Sequence, residues 1–100
     1  MSLKIPNKIR LGGQEIEVRN VDSLPYDDLG HCSLAGGYIE IANTFGKDGI
    51  QSESSKLNTY IHEVVHLVLD TMGELELSRN EKFVNCFAGF LTEALISSNE

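Results

Sequence analysis

Residues 62–66 read His-Glu-Val-Val-His, an H-E-x-x-H run inside one of the most apolar stretches of the chain. On a helix, positions four apart lie on one face a turn apart, so His62 and His66 can turn two imidazoles toward a single zinc ion. Glu63 then stands beside the ion, where its carboxylate can take a proton from a water whose pKa the metal has lowered. The surrounding pattern supports a site rather than a solvated face. Thr59, His62, Glu63, His66 and Asp70 form a polar stripe among Leu57, Ile61, Val64, Val65, Leu67, Val68 and Leu69. Exposed helix faces ordinarily carry Lys, Glu and Gln, whereas this stripe holds two of the chain's three histidines.

A helix must present that stripe, and its ends are marked. Ser52 or Ser54 can cap the start, and Gly73 supplies a left-handed residue just beyond about Thr71. Its Val and Ile content gives weak intrinsic propensity, so tertiary burial has to hold it. Upstream, residues 8–11 and 14–18 alternate apolar and polar around Gly12-Gly13, predicting a hairpin with Ile9, Leu11, Ile16 and Val18 toward the core. Residues 21–30 carry turn chemistry and predict an exposed loop. Residues 31–35 and 38–42 flank Gly36-Gly37 as a second hairpin, with Tyr38 and Glu40 on one face and Ile39 and Ile41 on the other. Residues 43–51 read as a long connector, expected above the site. A last helix over 79–96 groups Phe83, Val84, Phe87, Ala88, Leu91, Ala94 and Leu95 on a broad apolar face.

Two histidines leave a tetrahedral zinc one protein ligand short, and Glu81, Asp70, His31 and Cys32 are the candidates. A metzincin site is excluded, because Leu69 and Met72 occupy the places of its Gly and third ligand. From Glu81 the sequence runs Glu81-x-x-Val84-Asn85-x-Phe87-Ala88-x-x-Leu91, which resembles the E-x-x-A-N-x-F-A-x-x-L pattern of the ImmA/IrrE family of metallopeptidases. Gly37-Tyr38-Ile39-Glu40-Ile41 also looks like that family's strand before its metal helix, so the likeness covers roughly residues 36 to 92. The resemblance implies a gluzincin-type site with Glu81 as third ligand, and a bacterial or mobile-element origin in which relatives cut repressor-like regulators. SprT-like zinc peptidases are a neighbouring likeness. Ser78-Arg79-Asn80-Glu81 also has the form of a capping box, a structural reason for the same glutamate. Asp70 is the reserve, as ligand or as partner to an imidazole N–H.

At 100 residues and 41% hydrophobic content, one domain with one modest core is expected over residues 1–100. A net charge of −7 opposes a nucleic-acid partner, since no basic patch exists to displace counterions. The sequence contains neither a signal-like leader nor eighteen consecutive apolar residues, which predicts a cytoplasmic protein without a membrane partner. Cys32 and Cys86 form no C-x-x-C motif and read as unpaired thiols, Cys86 as a buried small hydrophobe. His31, Tyr26 and Tyr60 read as structural. The strand over residues 37–42 is the expected edge along which an extended peptide adds, and Tyr38 is placed to donate to a developing oxyanion or, equally, to pack across strands.

The fold expected is α+β: a minimal zincin-like core with a small, mostly antiparallel sheet followed by two packed helices. The function expected is that of a zinc-dependent metallopeptidase acting on a protein or peptide, with Glu63 as general base and His62, His66 and Glu81 as ligands. A non-catalytic interaction module stapled by structural zinc is the alternative. Oligomeric state is not legible in the sequence.

Overall fold

A computed structural model of the chain describes residues 3–98. Strands β1 (Lys8–Leu11) and β2 (Gln14–Val21) form the first hairpin, paired Ile9 to Ile16 across Gly12 and Gly13. Both glycines sit at positive φ, at 57° and 83°, as a tight two-residue turn between twisted strands requires. Strands β3 (Gly30–Ser33) and β4 (Tyr38–Ala42) pair antiparallel, Cys32 opposite Ile39. The long connection between β2 and β3, with a 3-10 turn at Pro25–Asp27, lets β4 return parallel to β2, giving the order β1-β2-β4-β3. The architecture is α+β, mostly antiparallel with one parallel pairing in the middle of the sheet.

The period of two sorts the side chains by face. Ile16, Val18, Ile39 and Ile41 are buried on the inner face against Leu67, with Ile9, Leu11, Cys32, Leu34 and Val64 around them. Helix α1 (Glu53–Met72) lies on this face, begun by Ser52, whose Oγ accepts from Ser55 N–H at 3.2 Å, and ended by Gly73 at φ 80°. Its opposite side, Leu57, Ile61, Val65 and Leu69, packs on Val84 and Ala88 of helix α3 (Glu81–Ser98). Helix α1 is therefore the middle layer between sheet and α3, which is how a sequence of modest helix propensity is held helical. Burial of apolar surface on both sides stabilises it at about 25 cal/mol per Å².

Several details depart from expectation. Strand β4 is internal, not an edge, because β2 and β3 flank it; β3 is the edge beside α1. Residues 43–51 contain a small two-stranded pairing of β5 (Thr44–Phe45) with β6 (Gly49–Ile50). That segment is tied down by Gly46 N–H to Asp27 Oδ1 at 3.0 Å, while Lys56 Nζ donates to Asn43 Oδ1 at 2.8 Å. A short helix α2 (Leu75–Ser78) intervenes before α3. Tyr26 is 96% exposed rather than packed, and Cys86 is exposed rather than buried. On α3 only Val84, Ala88 and Thr92 are buried, so Phe87, Leu91 and Leu95 lie outside the core. No helix among the described residues is long and apolar enough to cross a membrane.

Candidate metal centre

His62 and His66 project from adjacent turns of α1, their ring centroids 4.9 Å apart and their planes at 67°. Glu81 reaches them from the first turn of α3: its Oε2 lies 3.8 Å from His62 Nε2, and its Oε1 lies 3.6 Å from His66 Nε2. One donor atom from each of the three falls within 4.8 Å of the others. These separations are longer than a hydrogen bond. They approach the roughly 3.4 Å between donors that each stand ~2.0–2.2 Å from a tetrahedrally coordinated zinc. Two imidazoles and a carboxylate are also the donor types zinc takes, so the residues present fit the ion.

Ser78 explains why His66 offers that nitrogen. It is buried at the end of α2, its hydroxyl donating to the His66 carbonyl at 3.4 Å while its Oγ stands 3.2 Å from His66 Nδ1. With the hydroxyl proton directed at the carbonyl, Oγ accepts from Nδ1–H, and Nε2 is left as the lone-pair donor facing Glu81. The expected capping box therefore does not form. Asn80 caps α3 instead, accepting from Phe83 N–H at 3.1 Å, and Glu81 is the first residue of the helix with its side chain 65% exposed. The structural explanation that competed for Glu81 is removed. The signal for Ser78 was present but ambiguous, because a serine before a helix reads as a cap until the chain is folded.

Glu63 sits one residue round from His62, buried to 7% exposure between α1 and the edge strand. Gly30 makes this possible, since a Cβ there would run into the Thr59 methyl and come within 3.1 Å of Glu63 Oε2. Burial pushes the Glu63 carboxyl above its ordinary value; a hydrogen bond from Cys32 and the neighbouring His62 and His66 draw it back only in part. The same burial, with Glu63 beside it, pushes the Cys32 thiol strongly up. Cys32 is thus a neutral neighbour of Glu63, and it lies outside the cluster of His62, His66 and Glu81.

Of the other candidates, Asp70 lines an adjoining open cleft of about 640 Å³ together with Leu34, Ala35, His66, Leu75, Ser78, Arg79 and Glu81. It lies outside the three-residue cluster. The walls of this cleft come from the β3–β4 turn and the α2–α3 region, so the 43–51 segment does not stand over it. Tyr38 is on the far face of the sheet, opposite Ile39, where Arg19 lies 4.7 Å from its ring centroid and its hydroxyl is 3.4 Å from His31 Nε2. The strand alternation that buries Ile39 and Ile41 turns Tyr38 away from the metal centre, so its expected oxyanion role is withdrawn. His31 shares that outer face and is likewise no ligand. No family model, curated protein or solved structure matches the chain.

Proposed function

We propose that the chain is a zinc-dependent metallopeptidase of the gluzincin type, similar to the ImmA/IrrE family, acting on a protein or peptide in the cytoplasm. The observation that carries the reading is the convergence of His62, His66 and Glu81 from two helices onto one point, with Glu63 buried beside them. When bound, zinc supplies Lewis-acid polarisation of a carbonyl and lowers the pKa of water. Glu63 takes the proton from the attacking water and returns it to the leaving amine. The free edge of β3 next to Glu63 is where an extended peptide would add as a strand, while the cleft receives the chain beyond it. Repressor-like regulators are the substrate class that the family likeness suggests.

A structural staple is the second reading, favoured by ligands that come from two helices. Glu63 and the open cleft weigh against it, because a structural site closes its fourth position and has no use for a base. The test begins with metal analysis of protein purified without added zinc, expected to give about one zinc per chain. A library of denatured peptides is then incubated with wild type, Glu63→Gln and chelated protein and read by mass spectrometry. Cleavage by wild type alone supports the enzyme. Cleavage that persists in Glu63→Gln rejects the mechanism, and absence of zinc even at saturation rejects the site.

A further inference from the structure

Helix α3 turns a stripe of large apolar side chains to solvent. Phe87 is 50% exposed, Phe90 72%, Leu91 37% and Leu95 41%. Phe83, half-buried and stacked on Phe87 at 5.6 Å between centroids, extends the stripe toward the N-terminus, while exposed Ala94 continues it toward the C-terminus and exposed Cys86 lies at its edge. The spacing Phe83, Phe87, Phe90, Ala94 alternates four and three residues, the seam by which one helix packs along another. The exposed parts of Phe87, Phe90, Leu91 and Leu95 amount to roughly 400 Å² per copy, about half of the ~800 Å² that each partner buries in a standard interface. The largest apolar patch of a domain is typically of this size and is often where a partner binds.

The charges beside the stripe select the occupant. Between Lys82 and Leu95 the only charged residues are Lys82 and Glu93, and neither has an ion-pair partner among the described residues. At 100° per residue both fall on the same flank of the stripe. When two copies of a helix pack antiparallel about a two-fold axis, like flanks face each other. An axis near residues 88–89 sets Phe87 against the partner's Phe90, and Lys82 within one turn of the partner's Glu93. A parallel pairing would bring unlike flanks together and lose the match. The surface is therefore self-complementary in both shape and charge.

We propose that α3 is a homodimer interface, two copies packing antiparallel through Phe83, Phe87, Phe90, Leu91, Ala94 and Leu95, with reciprocal Lys82–Glu93 pairs on one flank. Glu81 points to the other side of α3, so the dimer leaves the metal centre and its cleft open. The inference is independent of the metallopeptidase reading.

Sedimentation velocity of the full chain in reductant, over about 1–200 µM and with zinc present and absent, tests it. A concentration-dependent dimer is expected. Phe90→Glu, at the most exposed position of the stripe, should weaken it by ~30-fold or more without loss of helical circular dichroism. Lys82→Glu should weaken dimerisation several-fold, and Lys82→Glu with Glu93→Lys should restore it. A monomer throughout the range overturns the proposal, as does a dimer that ignores Phe90→Glu. A double charge exchange that fails to restore association overturns the antiparallel register.

Discussion

With the Ser78 hydroxyl directed at the His66 carbonyl, its Oγ is placed to accept from His66 Nδ1–H, which leaves the Nε2 that faces Glu81 with a free lone pair. Partners of this kind are worth ~10–100-fold in metal affinity, so Ser78→Ala should weaken zinc binding by that factor while leaving α3 capped by Asn80. Glu81→Gln, which removes the proposed anionic ligand, should weaken it more. Chelator competition measures both; equal affinity in wild type and Glu81→Gln would break the three-residue site. Glu63 yields a prediction of opposite sign. Its folded-state pKa is raised by burial, so its favourable contribution to stability is fully present below the unfolded carboxyl pKa and is lost as pH rises through the folded value. In metal-free protein, Glu63→Gln should therefore be more stable than wild type at pH 7 and no more stable near pH 3.5, read as urea midpoints. In the zinc form the same change should lower peptide cleavage by ~10²–10⁴.

The elements were legible where a local pattern had one reading. Gly12-Gly13 between alternating strands and Gly73 after α1 stand where the sequence puts them, and of the two serines offered as cap Ser52 takes the place, because turn and cap chemistry act over a few residues. Helix α2 is four residues long, barely one turn, so no repeat of the helical period marks it in the sequence. The β5–β6 pair is likewise too short for alternation to register. Gly30 shows what element-level reading misses: it looked like loop punctuation, yet it is the strand residue whose missing side chain admits Glu63 and Thr59. Gly30→Ala should destabilise by roughly 1–3 kcal/mol through overpacking. It should also lower cleavage more than zinc affinity, since the displaced group is the proposed base and not a proposed ligand. Denaturant titration and metal competition on the same variant separate the two effects.

At the scale of the whole molecule, the pairs within α1 could be read from spacing, but the partners brought to them by tertiary structure could not. No local signal states that β4 returns parallel to β2, and that crossover is what makes β4 internal and β3 the edge. Nor does the apolar face of α3 announce which part of it meets α1: Val84 and Ala88 are buried there with Phe83 and Ile96 partly so, while Phe87, Phe90 and Leu91 face solvent. The proposed metal centre would add a further tie between the two helices: His62 and His66 belong to the middle layer, Glu81 to the outer one. Zinc should therefore act on the fold as well as on chemistry. A ligand bound only by the folded state stabilises it by ~4 kcal/mol at a thousand times its dissociation constant. For a domain of this length each kcal/mol moves the thermal midpoint by ~4–8 °C, so saturating zinc should raise it by on the order of 15–30 °C. Hydrogen exchange would localise the effect, with amides of α3 gaining the most protection and Glu81→Gln abolishing that gain. A zinc-bound protein whose melt and α3 exchange match the metal-free form would mean that the ion does not bridge the two helices.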